Sequence, residues 1–236
     1  MLIVENLVAG YRNLPILNGI SLEAKPGEVT IIVGPNGSGK STFLKSISGL
    51  TTIFTGKIGL DGKDLTRRHP HDVAKLGVAY LPQTENVFTN LTVSENLRLA
   101  AYTVEDGHAI ARSKEIFDLF PQLAHYLNSK ATTLSGGERQ MLAMGMALMR
   151  KPSVLMFDEP TANLSPKLAK NVLGTIRSLA SMQLILLLVE QNARRALEMG
   201  DKACLLVNGK RNFYGSANDL LQHREIGRLY LGIKSV

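Results

Sequence analysis

Residues 34–42 read GPNGSGKST and fit the pattern G-x-x-x-x-G-K-[ST]. They follow the β-branched run VTIIV (29–33) and lead into STFLKSISGL (41–50), whose apolar residues recur at helical spacing. A glycine-rich turn between a strand and a helix directs backbone N–H groups toward a phosphate, and the N-terminal end of the helix dipole favours negative charge there. The stretch therefore predicts a phosphate-binding loop in an α/β protein.

The residue types of this loop predict a nucleoside triphosphate with Mg²⁺ as the ligand. Glycines let the backbone approach the phosphates, Lys40 supplies a full positive charge to the β- and γ-phosphates, and the Ser41 hydroxyl can coordinate Mg²⁺. The predicted nucleotide contacts from this loop are Gly34, Pro35, Asn36, Gly37, Ser38, Gly39, Lys40, Ser41 and Thr42.

Two acidic residues, Asp158 and Glu159, directly follow the apolar run VLMF (154–157). Such a run suits a parallel strand that is buried on both faces, and open α/β sheets bind ligands at the carboxyl ends of their strands. Alone, the pair would be an ordinary acidic turn. Beside a phosphate loop, we expect Asp158 to hold the same Mg²⁺ as Ser41 and Glu159 to act as general base on the attacking water.

A second glycine-bearing helix start is predicted at LSGGERQ (134–140). Ser135 and Glu138 have the S-x-x-E spacing of a capping box, and an apolar helical pattern follows them. Glycines beside an N-cap also leave backbone N–H groups open to an anion. The capping box by itself predicts only the start of a helix.

The rest of the chain predicts a mixed architecture. Strands are expected at the N-terminus, at GVAYL (77–81) and at LILLLV (184–189). Asp61-Gly62 predicts a hairpin, and Asn208-Gly209 predicts a type I′ hairpin turn. Ser165-Pro166 predicts the start of a helix between two parallel strands. A short helix is expected from about 217. Helical spacing from about 92 to 133 predicts a separate helical lobe, carried by Leu97, Ala100, Ala101, Ile116, Leu119 and Phe120.

Composition limits the function classes. The chain has 236 residues, 44% of them hydrophobic, with a formal net charge of +7. It can bury a substantial core. Its longest apolar runs are far shorter than the roughly 20 residues that a membrane-spanning helix needs, and we predict no signal peptide. The positive charges are dispersed without an aromatic-basic pattern, so nucleic acid is not an expected partner. We expect Cys204, the only cysteine, to lie buried in a strand.

Taken together, the phosphate loop, LSGGERQ and VLMFDEP resemble, in order and spacing, the ATP-binding subunits of ABC transporters over nearly the whole chain. The resemblance implies a phosphate-loop NTPase (RecA-like) core of mainly parallel sheet, with an N-terminal antiparallel β part and an inserted α-helical lobe. It implies one domain, with the core at 1–91 and 151–236 and the lobe at about 92–150. It also implies ATP hydrolysis, with ATP and Mg²⁺ bound.

The resemblance assigns roles to further residues. Tyr11 stands where the family stacks an aromatic ring on adenine, and Gln83 matches a glutamine that senses Mg²⁺ and the γ-phosphate. In the family, two subunits sandwich two ATP molecules. Contacts to the ATP held by the partner chain are therefore implied for the start of the LSGGERQ helix, at Ser135, Gly136 and Gly137.

Two positions depart from the common family pattern. Gln191 replaces a usual histidine, and a neutral amide can donate a hydrogen bond but cannot carry the proton, which favours Glu159 as the base. Ser165 replaces a usual aspartate, which puts the contacts across the dimer at that loop in doubt. The segments VEQNARRAL (189–197), LSGGERQMLAMGMALM (134–149) and the tail near YLG (230–232) resemble the smaller ATPase of branched-chain amino-acid importers.

The resemblance also implies partners and a location. We expect transmembrane permease subunits, which dock near 83–100, a second ABC ATPase subunit in a homo- or heterodimer, and indirectly a periplasmic or surface solute-binding protein. The expected location is peripheral, on the cytoplasmic face of the cell membrane. Alternatives are lipid or lipopolysaccharide export, urea or amide uptake, and a soluble assembly scaffold. A DNA-repair clamp is disfavoured because no long coiled-coil or zinc-binding insertion is present.

Overall fold

Strands from both halves of the chain form two sheets in the computed structural model, which describes residues 1–102, 106–223 and 225. The first sheet is antiparallel and four-stranded, and the second is six-stranded. The strands are β1 (Leu2–Tyr11), β2 (Leu14–Ala24), β3 (Val29–Val33), β4 (Thr52–Leu60), β5 (Lys63–Asp64), β6 (Val78–Leu81), β7 (Val154–Asp158), β8 (Ile185–Val189), β9 (Lys202–Val207) and β10 (Lys210–Ser216).

The six-stranded sheet has the order β10-β9-β3-β8-β7-β6 and is parallel except for its β10 edge. Every residue of β3, β7 and β8 is buried, which explains their unbroken apolar sequences. Asn208 and Gly209 both have positive φ in the β9–β10 turn, as do Asp61 and Gly62 in the β4–β5 turn. The mainly parallel sheet and both hairpins are therefore confirmed.

The antiparallel sheet has the order β2-β1-β4-β5. It shares an apolar cluster with one face of the parallel sheet, and that cluster includes Phe43, Leu44 and Ile47 of the helix that follows the phosphate loop. Cys204 lies in this cluster and is buried, as predicted. This packing holds the phosphate loop against the end of the parallel sheet.

Helices cover the remaining faces. They are α1 (Lys40–Ile47), α2 (Pro70–Lys75), α3 (Val93–Ala100), α4 (Asp106–Leu119), α5 (Pro121–Ala124), α6 (Gly136–Leu148), α7 (Pro166–Leu179), α8 (Ala193–Met199) and α9 (Ala217–Gln222), with short 3₁₀ turns at Ala131–Thr133 and Ala180–Met182. No helix in the part of the chain that the structure describes is long and apolar enough to cross a membrane.

The predicted crossover from β7 through α7 to β8 is confirmed. The Ser165 side chain accepts a hydrogen bond from the Leu168 N–H, and Pro166 occupies the first turn, where its missing N–H costs nothing. The apolar face of α7 is buried, and β7 and β8 pair in parallel. The predicted short helix from about 217 is α9, while the YLG tail lies outside the described residues.

The predicted helical lobe corresponds to α3–α6. Leu97, Ile116 and Phe120 are buried, as their spacing indicates. Leu119 shares the helical spacing but is 40% exposed. The buried stripe of α4 runs through Ile116 toward Phe120, and Leu119 is rotated by about 100° from Phe120, which places it at the edge of the stripe. One apolar cluster runs from these helices into the parallel sheet, so the division of the chain at 92 and 150 stays a prediction.

Candidate functional site

The loop between β3 and α1 has a backbone that only glycine can follow at two points. Gly34 has a φ of 151°, and a Cβ there would lie 2.0 Å from the Leu206 carbonyl oxygen. Gly39, the N-cap of α1, has a φ of 100°, and a Cβ there would lie 2.7 Å from Leu17 Cδ2. The glycines therefore let the loop pack tightly against β2 and β9 while its N–H groups stay near the N-terminus of α1.

Lys40, the first residue of α1, bends back over the loop. Its Nζ donates hydrogen bonds to the carbonyl oxygens of Gly34 at 2.9 Å and Pro35 at 3.1 Å. Burial lowers the pKa of the ammonium group, while the negative charges of Glu159 and Asp158 oppose that shift. The loop thus holds the positively charged ammonium group of Lys40 against its own carbonyl oxygens.

Asp158 is held at both carboxylate oxygens. Ser41 Oγ donates to Oδ1 at 2.9 Å, and the Tyr80 hydroxyl donates to Oδ2, also at 2.9 Å. Asp158 is 6% exposed, at the carboxyl end of β7. Burial raises the pKa of Tyr80, and so do the charge and the hydrogen bond of Asp158, so the phenol remains a donor. The predicted pair of Ser41 and Asp158 is therefore in direct contact.

Glu159 is the next residue and its side chain receives two amide donors. Gln83 Nε2 donates to its Oε2 at 3.0 Å, and Gln191 Nε2 donates to the same oxygen at 2.8 Å. The Glu159 backbone has a positive φ of 50°, and its N–H donates to Val189 O at 2.9 Å. This sparsely populated conformation directs Glu159 away from the strand. Three residues from distant segments thus meet at one carboxylate oxygen.

A single pocket of about 430 Å³ collects most of the predicted site. Tyr11, which is 41% exposed, lies on its wall beside Ile16 of β2. Asp158 is not on the wall but is joined to it through Ser41. The lining residues are Tyr11, Ile16, Asn36, Gly37, Ser38, Gly39, Lys40, Ser41, Thr42, Gln83, Glu159 and Gln191.

The residues at the start of α6 do not line this pocket within one chain. The predicted capping box is present, because Ser135 Oγ accepts from the Glu138 N–H and Glu138 Oε2 accepts from the Ser135 N–H. Ser135 is exposed. Gly136 packs against Leu164, where a Cβ would approach Leu164 Cδ2 to 2.6 Å. The nucleotide contacts predicted for Ser135, Gly136 and Gly137 are therefore not formed at this pocket by the same chain.

Tyr80 and Glu190 are two residues near this pocket that were not predicted from the sequence. Tyr80 is opposite Met156 in the β6–β7 register, and Asp158 is two residues further on the same face. Only that register reveals the contact, because the two residues are far apart in sequence. Glu190 follows β8, is 4% exposed, and accepts hydrogen bonds from Thr161 N at 3.1 Å and Thr161 Oγ1 at 2.8 Å. The sequence feature that could have indicated Glu190 is an acidic residue directly after the apolar run of β8.

Glu190 should make stability depend on pH. Burial raises the pKa of its carboxyl, the bonds from Thr161 oppose this, and the Glu159 charge adds to the rise. A raised native pKa gives a stabilising contribution that is present below the unfolded pKa and is lost as the pH rises through the native pKa. We therefore expect the melting temperature of the parent, relative to that of Glu190→Gln, to fall as the pH rises from below to above the usual titration range of a glutamate carboxyl.

Thermal unfolding of the two proteins across that pH range measures the effect. Glu198→Gln, which removes a carboxylate from α8 at an exposed ion pair with Arg194, is the control for removing one acid. If the melting temperatures of the parent and Glu190→Gln differed by the same amount at every pH, this account of Glu190 would be contradicted.

Comparisons with known proteins agree with this geometry. Residues 17–162 match the family described as ABC transporter. The chain is 53% identical over 234 residues to the probable branched-chain amino acid transport ATP-binding protein LivF of Archaeoglobus fulgidus, covering 99% of each chain. It is 34% identical over 232 residues to the high-affinity branched-chain amino acid transport ATP-binding protein BraG of Pseudomonas aeruginosa, covering 98% of this chain and 100% of that protein. A crystal structure of the ADP conformation of an ABC-transporter ATP-binding cassette matches with a TM-score of 0.87 at 27% identity, covering 97% of each chain.

Proposed function

Because this chain belongs to the ABC transporter family, we propose that it is the ATP-hydrolysing subunit of a membrane importer for branched-chain or related amino acids. The proposal that the chain hydrolyses ATP rests on one observation. A single pocket brings together a phosphate loop, a candidate adenine-stacking tyrosine and a carboxylate held by two glutamines. The two branched-chain amino-acid relatives support the substrate class.

In this proposal the loop binds the phosphates of ATP, and the Tyr11 ring stacks on the adenine. The N–H groups of 36–41 and the Lys40 ammonium neutralise the phosphate oxygens from one side. The Lys40 ammonium now donates to Gly34 O and Pro35 O, and in this proposal it exchanges these bonds for bonds to the phosphates. Tyr11 lies at the pocket wall with a partly exposed ring, and stacking on a base contributes about 1–3 kcal/mol.

The donor set at the end of β7 fits Mg²⁺. Ser41 and Asp158 offer a hydroxyl and a carboxylate 2.9 Å apart, and Gln83 adds an amide oxygen from the same pocket. Oxygen ligands of this kind suit a small hard cation. We propose that Ser41, Gln83 and Asp158 hold the ion, directly or through water. When bound, Mg²⁺ neutralises charge on the β- and γ-phosphate oxygens.

Glu159 is the proposed general base. Its Oε2 accepts from Gln83 and Gln191, while Oε1 accepts no hydrogen bond from the residues that the structure describes. Oε1 is thus the atom that would take a proton from the attacking water. Gln191, at the position where many family members carry histidine, orients the carboxylate but cannot itself accept that proton. The glutamine side chains therefore position the base rather than replace it.

A second ATPase subunit is proposed to complete the site. Ser135 is exposed at the N-terminus of α6, outside the pocket of its own chain. Across a dimer, Ser135, Gly136 and Gly137 would present backbone N–H groups and a helix N-terminus to the γ-phosphate from the opposite side. The protein in the partner position is either a second copy or a related ATPase.

The permease subunits are proposed to dock in a groove between β6 and α6. This groove has a volume of about 500 Å³ and mainly apolar walls, which include Val78, Leu81, Leu99, Ala143 and Met146. Leu99 is 45% exposed, and the adjoining Tyr102 is 87% exposed. An exposed apolar groove on an isolated chain suits a partner helix. Docking there would place the protein peripherally on the cytoplasmic face of the membrane.

Reconstituted transport tests the proposed substrate class. The chain, its permease subunits and their solute-binding protein are placed in proteoliposomes, with ATP on the side of the ATPase. We expect ATP-dependent uptake of leucine, isoleucine or valine, and no uptake when Glu159→Gln replaces the parent chain. Hydrolysis that responds to a lipid or to urea, and to no amino acid, would assign the chain to another ABC system.

A further inference from the structure

Tyr80 makes a contact that the roles proposed above do not use. Its hydroxyl donates to Asp158 Oδ2 at 2.9 Å, while Ser41 Oγ donates to Oδ1 at 2.9 Å. The two bonds engage both carboxylate oxygens from different elements, β6 and α1. Because each oxygen has an external donor, the Asp158 carboxylate cannot rotate about its Cβ–Cγ bond without breaking one of them.

The Tyr80 ring is itself held in place. It is half-buried and packs against the apolar cluster between the two sheets, which includes Phe43, Leu44 and Met156. In the register of β6 and β7, Tyr80 is opposite Met156 and Leu81 is opposite Phe157. A one-residue shift in that register would turn the Tyr80 side chain to the other face of the sheet. Sheet pairing therefore fixes where the phenol lies relative to Asp158.

We propose that Tyr80 is a positioning residue of the divalent-cation site, which orients the Asp158 carboxylate through its hydroxyl and so sets the affinity for the cation. The inference rests on the proposed function, in which Asp158 holds that cation. Residues that hydrogen-bond a metal ligand typically alter metal affinity by about 10–100-fold when replaced. Tyr80 contributes no ligand atom in this proposal and acts only through Asp158.

The rival explanation is that Tyr80 only fills the core beside the edge strand. Tyr80→Phe separates the two roles, because it keeps the ring and removes only the hydroxyl. Tyr214→Phe is a matched control. Tyr214 is also half-buried against the same apolar cluster, and its hydroxyl donates to the Glu23 carbonyl oxygen instead of a carboxylate.

Mn²⁺ is the probe, titrated by electron paramagnetic resonance in the presence of a non-hydrolysable ATP analogue. Tyr80→Phe is expected to bind Mn²⁺ about tenfold more weakly than the parent. Its affinity for the analogue in EDTA should equal that of the parent, because the phosphate loop is unchanged. Tyr214→Phe should match the parent in both measurements.

The outcomes separate this inference from the proposed function. Equal Mn²⁺ affinity of Tyr80→Phe and the parent would overturn the role of Tyr80 and leave the cation site standing. A parent chain that binds the analogue but no Mn²⁺ would overturn the cation site, and the role of Tyr80 with it. Weaker analogue binding by Tyr80→Phe in EDTA would show a general effect on the pocket and would also overturn the inference.

Discussion

Replacing Glu159 with Gln is expected to lower ATP hydrolysis at least about 100-fold while ATP binding persists. The amide oxygen of the variant can still accept the bonds that Gln83 and Gln191 now donate to Oε2. The geometry of the pocket is therefore kept, and the change removes only the ability to take a proton from water.

Phosphate release and nucleotide affinity measure the two effects separately. Glu198→Gln makes the same chemical change at an exposed carboxylate on α8 and should hydrolyse ATP like the parent. Because bound ATP persists in the Glu159→Gln protein, sedimentation should show dimers that form with ATP and dissociate without it. Near-normal turnover would exclude Glu159 as the base, and a monomer saturated with ATP would oppose the sandwich of two chains.

Lys40→Ala is expected to weaken ATP binding itself. Lys40 is buried, with 6% of the residue exposed, and its ammonium group donates to two carbonyl oxygens of the loop. Hydrogen bonds to charged groups contribute roughly 1.5–3 kcal/mol, which corresponds to about a tenfold to hundredfold loss of affinity. The rate of ATP hydrolysis at limiting ATP should fall by at least the same factor as the affinity.

Binding of a fluorescent ATP analogue to the two proteins measures this loss. Lys45→Ala is the matched control, because it removes the same charge from the last turn of the same helix, away from the pocket wall. It should bind the analogue like the parent. Unchanged affinity of Lys40→Ala would remove the main support for nucleotide binding at 34–42.

Local sequence was sufficient for features that depend on a few adjacent residues. The capping residues Ser135 and Ser165 start their helices where S-x-x-E and Ser-Pro indicate. Both Xaa-Gly turns form hairpins with positive φ. These features follow from backbone sterics and hydrogen bonds within one turn, so no distant residue is needed to predict them.

The apolar runs likewise determined the parallel sheet. Strands buried on both faces need continuous apolar sequence, and their carboxyl ends must lie at one edge, which brought Asp158 near the phosphate loop. In α4 the apolar spacing predicted the helix but not which residues are buried, because Leu119 shares that spacing and is 40% exposed. Periodicity alone does not decide which edge of a stripe meets the core.

Tertiary structure alone decided the contacts between distant segments. The amides of Gln83 and Gln191 meet on one oxygen of Glu159 because β6, β7 and β8 are neighbours in the sheet. The same adjacency, with its register, gives Asp158 the Tyr80 hydroxyl. The phosphate loop, the acidic strand end and the helix starts follow from short stretches of sequence, since these features depend on local backbone chemistry. Strand order and register decided which side chains share a hydrogen bond, because that depends on packing across the whole sheet.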